Sequence, residues 1–544
     1  MSKTLRLTIL AVAAVVLLTA AGGATFAADK KERERAQRAL REGEFEVAEK
    51  IFRGLVEKDT KDLPARLGLS FAQLKQRNLR DAYDNAARAI AIDPLSARAH
   101  ALLGAALLAA GDFPLSIEEF KTAVSLDQNE ALAIAGLSMV NFYENRAQVA
   151  LIGLRRAVDL DPNEPDFIFN YAQAASRTER FREAADAYET FLRIAPRTDA
   201  DRRARIRGLI DFLRFISSQG KLYQTGGGQH TDIQFELVNS RPIIPVRVNG
   251  SKKPLHFVID SGSGMCVLSS ATADRLGVKP VARGGLARAV GGGGHFEIVY
   301  GFLDSLQMGD VHVDHVPVYI REFHNDQEPV DGYIGLSVLS HFLASIDYGT
   351  HVVALLRDDV PRPPTPAVVP VASPAPNAVQ PAVQPATGRV FELPIRSTSG
   401  GFWSGLVQVE GMDKPASFII DTGATVSVVS RQLSEREEFS RYEQKSRLKV
   451  YGAAGVTEDV PLLMLPRVTL GDYTHANLAA AVLDMNPINE TSGFEQTGII
   501  GGNMLRYFRV TFDFQRAVVR FEMIPNFTPA PLSKEANITP QGFE

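Results

Sequence analysis

The chain has 544 residues, a length that corresponds to about three or four domains. Of these residues, 45% are hydrophobic and 22% charged, which is the composition of an ordinary globular protein. The net charge of −4 is small for this length, and it argues against the clustered basic surface that nucleic acid binding requires. The single cysteine, Cys266, excludes an internal disulfide, so we expect stability to come from core burial.

The N-terminal segment has the pattern of a secretory signal peptide. Two basic residues precede an apolar run at 7–20, and small residues continue to Ala28 with a cleavage pattern ending at Ala27. We therefore assign 1–28 to export, which predicts a periplasmic or otherwise extracytoplasmic protein. The alternative is a retained inner-membrane anchor at 7–28, a stretch that is long enough to span a bilayer.

The next segment, 29–218, is a repeat array with a period of 34 residues. Small residues recur at this interval in two sets: Ala36, Ser70, Gly104, Ser138 and Ala172, then Ala48, Ala82, Ser116, Ala150 and Ala184. Turn positions keep the same period, at Thr60, Pro94, Gln128, Pro162 and Pro196. The pattern resembles the tetratricopeptide repeat, a helix-turn-helix unit of this length, and predicts an α-solenoid of five repeats with a capping helix at 199–216.

Such arrays most often bind a peptide or helix of another protein on their concave face, where we expect a protein partner. Beyond the array, composition divides the chain into a flexible glycine-rich linker, a strand-rich region, a proline-rich extended linker, a second strand-rich region and a disordered tail. In this order, the predicted boundaries are 219–231, 232–357, 358–389, 390–526 and 527–544.

The two strand-rich regions match each other. The stretch "VRVNGSKKPLHFVIDSG" at 246–262 is matched by "VQVEGMDKPASFIIDTG" at 407–423, which lies 161 positions later. Three further blocks match in the same order, with small insertions between them. The sequence therefore predicts a duplicated β domain.

Each copy carries an apolar run into Asp-Ser/Thr-Gly, a glycine-containing hairpin about 30 residues later, and an apolar-apolar-Gly segment. This pattern resembles the aspartic peptidases. Each half resembles the retroviral type in size, and the tandem arrangement is similar to pepsin. The resemblance covers residues 232–526 and implies two homologous all-β lobes of the acid-protease type, following the α-solenoid.

The two aspartates of these motifs, Asp260 and Asp421, are the predicted catalytic residues. Like charges a few ångströms apart do not both ionise cheaply, so two such carboxyls share one proton and their two pKa values separate. One acid then accepts a proton from water while the other polarises a carbonyl, which is general acid–base catalysis. This chemistry needs no metal and no cofactor, and the ten histidines show no metal-ligand spacing.

The resemblance implies roles for further residues. Loop support is expected from Ser261, Gly262, Thr422, Gly423 and Thr425. Flaps that close over the substrate are expected at Gly291, Gly292, Gly293 and Gly294 and at Tyr451, Gly452 and Gly455. Gly335 and Gly501 are expected to end the apolar strands that pack behind the aspartate loops.

The first copy departs from the family pattern. The second copy has Thr425 two residues after the motif glycine, whereas the first has Gly264 at this place. The missing hydroxyl predicts a looser first loop or a first lobe that has become structural, so the activity of lobe 1 is left open.

The sequence thus predicts an exported aspartic-type endopeptidase that acts on a protein or peptide substrate, with the repeats recruiting that substrate or a partner. The alternative is a non-catalytic peptide-binding or scaffold protein with degenerate lobes, and a third interpretation has lobes that only dimerise. The length of the proline-rich linker favours pairing of the two aspartates within one chain. It does not force this arrangement, since two chains could also exchange halves.

Overall fold

The computed structural model describes residues 29–198, 200–291, 294–325, 330–360, 390–525 and 535–537. The predicted export segment, most of the proline-rich linker and most of the tail lie outside these residues. Within the described ranges no helix is both long and apolar enough to cross a membrane. The chain forms two compact units, the first of which runs to Val140 and includes Ile152–Phe167 and Ile194–Ala200.

Paired helices form the N-terminal part. Their bounds are α1 29–42, α2 Phe45–Lys58, α3 Leu63–Lys75, α4 Leu79–Ile92, α5 Ala97–Ala109, α6 Phe113–Leu126, α7 Ala131–Tyr143, α8 Ala147–Leu160, α9 Pro165–Arg177, α10 Phe181–Ile194 and α11 Ala200–Ile216.

The helix starts follow the interval expected from the sequence, since α2, α4, α6, α8 and α10 each begin 34 residues after the one before. The small residues of the second periodic set lie inside these helices and are fully buried: Ala48, Ala82, Ser116, Ala150 and Ala184. Small side chains at these positions let the helices of each hairpin approach closely. The prediction of a helical repeat array is confirmed.

In the first unit, an ion pair connects the second and fifth repeats. The ammonium group of Lys75, at the end of α3, lies 2.7 Å from the Glu164 carboxylate and 2.5 Å from that of Asp166. Lys75 is the last residue of α3, Glu164 directly precedes α9, and Asp166 is the second residue of α9. Two carboxylates on one half-buried lysine raise its pKa above the usual value in spite of its burial.

Lobe 1 comprises β1 to β12. Its elements are β1 Gln224–Gly227, β2 His230–Gln234, β3 Glu236–Val238, β4 Arg241–Val248, β5 Leu255–Ile259, β6 Cys266–Ser269, α12 Ser270–Leu276, β7 Ala282–Arg288, β8 His295–Met308, β9 Val311–Arg321, β10 Gly332–Ile334, α13 Leu336–Leu339, β11 Phe342–Asp347 and β12 Val352–Arg357.

Lobe 2 comprises β13 to β22. Its elements are β13 Val390–Ser397, β14 Trp403–Val409, β15 Ala416–Ile420, β16 Ser427–Ser430, α14 Arg431–Ser434, α15 Glu437–Ser440, β17 Glu443–Gly452, β18 Gly455–Leu470, β19 Tyr473–Leu483, α16 Asn486–Ser492, β20 Gly498–Ile500, α17 Gly502–Leu505, β21 Phe508–Asp513 and β22 Val518–Met523; β23 Glu535–Asn537 follows.

Strand pairing shows that the two lobes are copies of one fold. In lobe 1, β5 pairs in parallel with β10, and Phe257 lies opposite Gly332. In lobe 2, β15 pairs in parallel with β20, and Phe418 lies opposite Gly498. The predicted duplication of an all-β domain is therefore confirmed at the level of residue register.

Six consecutive antiparallel strands of one larger sheet join the lobes, in the order β2-β12-β11-β21-β22-β13. Its central pair is β11 with β21, so each lobe contributes three strands. Across this pair Asp347 accepts two hydrogen bonds from the Arg509 guanidinium, at 2.6 and 2.9 Å. The lobes are therefore held together by backbone pairing as well as by side chains.

The interpretation of 219–231 as a flexible linker is wrong for two stretches of it. Strand β1 pairs with β9, and β2 begins at His230 and pairs with β12. The glycines serve close packing here, because a side chain on Gly226 would collide with the His312 ring. Composition alone does not distinguish this use of glycine from flexibility.

The tail is also not wholly without structure. Its described residues form β23, which pairs in parallel with β17 through Lys449, Val450 and Tyr451. The sequence prediction of a disordered tail at 527–544 is thus wrong for these residues, while 527–534 and 538–544 lie outside the described part.

Candidate active site

Each predicted catalytic aspartate directly follows a buried strand. Asp260 comes after β5 and Asp421 after β15, and both side chains are fully buried. The N–H of Asp260 donates to the carbonyl oxygen of Ile334 at 3.0 Å, and that of Asp421 donates to the carbonyl oxygen of Ile500 at 2.9 Å. Ile334 and Ile500 are the last residues of the neighbouring parallel strands β10 and β20. The two loops therefore leave their sheets in the same way.

The structure brings the two carboxyl groups together. Asp260 Oδ1 accepts a hydrogen bond from Gly262 N at 2.9 Å, and Asp421 Oδ1 accepts from Gly423 N at 2.8 Å and Ala424 N at 3.1 Å. The two carboxyls also act on each other electrostatically. A Cβ atom on Gly262 would collide with the Asp421 carboxyl, so only glycine leaves room for the pair. Both aspartates come from one chain.

The residues after the aspartates hold the loops to each other through four buried hydrogen bonds. Ser261 Oγ donates to Ile420 O at 2.8 Å, and Thr422 Oγ1 donates to Ile259 O at 2.7 Å. The same hydroxyl oxygens accept from the opposite backbone: Thr422 N lies 3.0 Å from Ser261 Oγ, and Ser261 N lies 3.1 Å from Thr422 Oγ1. The hydroxyls thus cross-brace the lobes under the carboxyl pair.

Gly264 lies where the two lobes meet. A Cβ atom on this residue would be 2.8 Å from the carbonyl oxygen of Gly400, in the β13–β14 hairpin. The first loop nevertheless keeps the backbone bonds of the second, since Ser337 N donates to Gly264 O at 3.0 Å as Asn503 N donates to Thr425 O at 3.1 Å. The missing hydroxyl is accounted for by the close approach of the other lobe.

We predict that Gly264→Thr, which restores the family residue, destabilises the lobes by about 1–3 kcal/mol because the new side chain overpacks this contact. Denaturation followed by the fluorescence of Trp403, the only tryptophan, measures the change. Gly54→Ala is the control, because an added Cβ there meets nothing within 4 Å. A threonine variant as stable as the original protein would show that the loop has room.

The strands behind the aspartate loops end at the predicted glycines. Gly335 follows β10 and Gly501 follows β20, and each begins a short helix as its N-cap residue. In lobe 2 the N–H of Gly501 donates to Ser427 Oγ at 3.1 Å, whereas in lobe 1 that of Gly335 donates to Cys266 Sγ at 3.3 Å. The cysteine therefore fills a buried serine-like position.

The predicted flaps are two hairpins whose tips touch. Flap 1 is β7–β8 and flap 2 is β17–β18. A Cβ atom on Gly452 would be 2.6 Å from Gly291 O, and Val290 shares a buried apolar cluster with Val450. Gly292 and Gly293 lie outside the described residues.

The remaining predicted flap residues lie on the same hairpins. Gly294 directly precedes β8, Tyr451 is half-buried in β17, and Gly455 begins β18. They therefore surround the tip contact, and their role toward a substrate stays a prediction.

Helix α11, the predicted capping helix, contacts flap 1. The rings of Phe212 and Tyr300 stack at 4.3 Å, and Arg205 Nη1 donates to Leu286 O at 3.1 Å. This helix therefore supports the outer face of the flap, a contact that the repeat pattern could not reveal.

The last repeats also contact lobe 2, both at the hairpin that covers Gly264 and at the segment between α16 and β20. Arg177 Nη2 donates to Thr398 O at 3.4 Å, and the rings of Tyr143 and Phe494 meet edge to face at 5.1 Å. These residues belong to the same compact unit as both lobes. The C-terminal repeats are thus part of the support of the site.

Two buried arginines near Asp260 were not predicted. Arg241 is fully buried and Arg321 is 8% exposed, and both act electrostatically on the Asp260 carboxyl. Both positions lie just outside the blocks in which the two halves match, so the sequence comparison did not single them out.

Burial raises the pKa of Asp260 to about 6 and that of Asp421 well above its usual range. The charge on Asp260 raises the pKa of Asp421 further, whereas hydrogen bonds from backbone N–H groups oppose both changes. The pair therefore retains a proton under conditions in which an exposed carboxyl would have lost it.

We predict that the stability of the lobes decreases as the pH rises from about 4 to 6. An aspartate whose folded pKa is above the ordinary 3.8 stabilises the fold at low pH, and loses this contribution as the pH rises through the folded value. The change for Asp260 alone corresponds to about 3 kcal/mol. Urea denaturation at several pH values measures it.

The control for this prediction is the double variant Asp260→Asn with Asp421→Asn, which has no carboxyl at either position. Its stability should lack the part of the pH dependence that the pair contributes. Equal pH dependence of the two proteins would show that the carboxyls titrate normally.

In the described part of the chain, no three His, Cys, Asp or Glu side chains come together as a group able to hold a metal ion. The groups that the site offers for chemistry are its carboxyls, its hydroxyls and the backbone N–H groups around them.

Comparisons with known proteins agree with this architecture. A family model described as "Aspartyl protease" matches residues 244–338 and again 407–504, and one described as "Tetratricopeptide repeat" matches 67–131. The β lobes are thus tandem aspartyl-protease domains, and the chain joins them to tetratricopeptide repeats. A comparison with curated proteins gave no match.

Among solved structures, the chain is similar to TTC0263, a tetratricopeptide repeat protein of Thermus thermophilus, with 20% identity, coverage of 34% of this chain and 98% of that one, and a TM-score of 0.30. It is also similar to the MamA protein, with 17% identity, coverage of 30% and 90%, and a TM-score of 0.22.

Proposed function

We propose that this protein is an aspartic-type endopeptidase in which Asp260 and Asp421 act together on one water molecule. The observation that carries the proposal is the contact of two buried carboxyls from matching loops, with hydroxyl cross-bracing beneath them. Two acids sharing one proton supply both a base and an acid at the same place.

In this mechanism the ionised carboxyl accepts a proton from water, whose oxygen attacks the carbonyl carbon of the peptide bond. The protonated carboxyl donates its proton to the carbonyl oxygen, so a neutral tetrahedral intermediate forms. The intermediate collapses when a proton passes to the amide nitrogen and the C–N bond breaks. No metal and no covalent enzyme intermediate takes part.

The substrate is an extended peptide held between the carboxyl pair and the flaps. An extended segment can pair with strand backbone and place alternate side chains in pockets. Because the tips meet through Gly291 and Gly452, they must separate for the peptide to enter and close again over it.

The repeats have the role of bringing a protein substrate or partner to the lobes, as tetratricopeptide repeats in general serve protein–protein interaction. If this is so, a protein substrate is cleaved with a lower KM than a short peptide carrying the same cleavage site. Equal KM values for the two substrates would contradict recruitment.

Export of the chain is proposed from its N-terminal pattern alone, which lies outside the described residues. Expression in a bacterial host followed by fractionation and N-terminal sequencing tests it. A periplasmic protein beginning at Ala28 supports cleavage, and membrane-bound full-length protein supports the anchor at 7–28. Recovery of the uncleaved protein only from the cytoplasm would contradict both.

The test of the enzymatic proposal is cleavage of a peptide library between about pH 4 and 7, read by mass spectrometry. A peptide with a hydroxyethylene group replacing the scissile amide mimics the tetrahedral intermediate and should inhibit. The Asp260→Asn and Asp421→Asn variants should lose this activity. Undiminished cleavage by both variants, or no cleavage by the original protein, would overturn the proposal.

The second candidate is a non-catalytic peptide-binding or scaffold protein. It is favoured by the direct contact of the flap tips above two fully buried carboxyls. Binding of library peptides without turnover, unaffected by either aspartate substitution, would support this candidate.

A further inference from the structure

The two lobes differ in charge at two corresponding buried positions. Extended by two residues, the register β4–β5 sets Arg241 opposite Asp260, and the register β14–β15 sets Phe402 at the corresponding place opposite Asp421. The registers β6–β9 and β16–β19 likewise place Arg321 opposite Ser269, where lobe 2 has Leu483 opposite Ser430. Lobe 1 thus has two cations where lobe 2 has apolar side chains.

These four side chains are all buried, with exposures of 0% for Arg241 and Phe402, 8% for Arg321 and 6% for Leu483. A buried guanidinium is rarely tolerated without a nearby anion. The Arg321 guanidinium lies 5.6 Å from the ring centroid of Tyr333, and the next residue, Ile334, accepts the Asp260 N–H at 3.0 Å. Both arginines lower the pKa of the Asp260 carboxyl, in their own lobe. The difference in charge between the lobes is therefore concentrated next to one member of the pair, Asp260, whereas Asp421 accepts one more backbone hydrogen bond than Asp260 does.

We propose that Arg241 and Arg321 break the symmetry of the carboxyl pair, so that Asp260 is the ionised member and Asp421 carries the shared proton. They act through Asp260 and are positioning residues. The catalytic roles that follow rest on the proposed function: Asp260 accepts a proton from the attacking water, and Asp421 donates its proton to the carbonyl oxygen of the substrate.

The other titratable groups facing the pair do not oppose this assignment. Cys266 faces Asp260, and burial raises the pKa of its thiol to about 12. Tyr348 faces Asp421, and burial raises the pKa of its phenol above the ordinary value. Both groups are therefore neutral where carboxyls titrate, and the arginines are the charges that distinguish the aspartates.

The test measures the pKa of each carboxyl in a variant in which the other has been replaced by an amide, so it does not require the protein to cleave a substrate. The full chain is labelled with ¹³C at the aspartate carboxyl carbons, and the remaining carboxyl is titrated by NMR in Asp421→Asn and in Asp260→Asn. We expect the lone Asp260 to reach half-ionisation about one pH unit or more below the lone Asp421, since a nearby opposite charge favours the ionised form. Equal midpoints, or the reverse order, would overturn the proposal.

A second set of variants tests whether the arginine charge causes the difference between the two midpoints. In the Asp421→Asn background, Arg321→Leu introduces the lobe 2 residue and should raise the Asp260 midpoint by about one pH unit, whereas Arg321→Lys keeps the charge and most of the effect. Arg516→Leu, which removes a half-exposed arginine bonded to Glu392, is the control and should leave the midpoint unchanged.

Folded Arg321→Leu and Arg241→Leu variants that both leave the Asp260 midpoint unchanged would also overturn the proposal. If these variants do not fold, the comparison of the two single aspartate variants decides alone. Because the titration order does not depend on cleavage, its failure and the failure of the enzymatic proposal are separate results. In an active enzyme, Arg321→Leu should also move the acidic limb of the kcat/KM profile to higher pH.

Discussion

Replacement of Asp421 by Asn should lower kcat/KM by about 10³–10⁴-fold, the upper part of the range for a positioned acid or base. The amide has the shape of the protonated carboxyl and can still donate to Asp260, so the fold is kept. It does not release a proton to the substrate. The effect is measured as initial rates of cleavage of a library-derived peptide, with folding checked by near-ultraviolet circular dichroism.

The matched control is Asp232→Asn, which makes the same change at a side chain with 63% exposure on β2. Its rate should stay within about twofold, as surface substitutions outside special sites have small effects. If Asp421→Asn retained a tenth or more of the original rate, the carboxyl would not be the acid of the reaction.

Replacement of Thr422 by Val should destabilise the lobes by about 2–4 kcal/mol, because it leaves two buried backbone groups without their partner. Valine has almost the same shape, but it neither donates to Ile259 O nor accepts from Ser261 N, as the hydroxyl does at 2.7 and 3.1 Å. Urea denaturation followed by Trp403 fluorescence measures the loss.

Thr422→Ser is the control for this prediction, since it keeps the hydroxyl and removes only a methyl group. It should recover most of the lost stability, whereas Ser261→Ala should behave like Thr422→Val because it breaks the corresponding bonds. A valine variant as stable as the serine variant would show that the cross-bracing contributes little.

Much of the fold could be predicted from the sequence because it is repeated in the sequence. The 34-residue period predicts a helical repeat array, and α2 and α4 do begin 34 residues apart. The match of the two halves predicts a duplicated β domain, and both copies have the same strand pairing behind Asp260 and Asp421. A repeated sequence makes a structural prediction more reliable, because the same turn or core position can be recognised in several copies rather than in one.

What the pattern did not reveal are features that occur once and depend on distant neighbours. The glycines at 226 and 227 were interpreted as flexible because composition does not show the adjacent strand β9. Gly264 looked like a defect because the hairpin carrying Gly400 lies 136 positions away in the chain. Arg241 and Arg321 were overlooked because burial of a charged residue depends on the tertiary fold.

The contacts of Tyr143 and Arg177 with lobe 2 have a consequence for the order of folding. The repeats are synthesised before the lobes, and their contacts are close in sequence, so they fold early and quickly. When the strands of lobe 2 emerge, the surface against which Phe494 and the 398–402 hairpin dock is already formed. We therefore expect the C-terminal repeats to act as a template for the slower β lobes, which would be a reason for this order of domains along the chain.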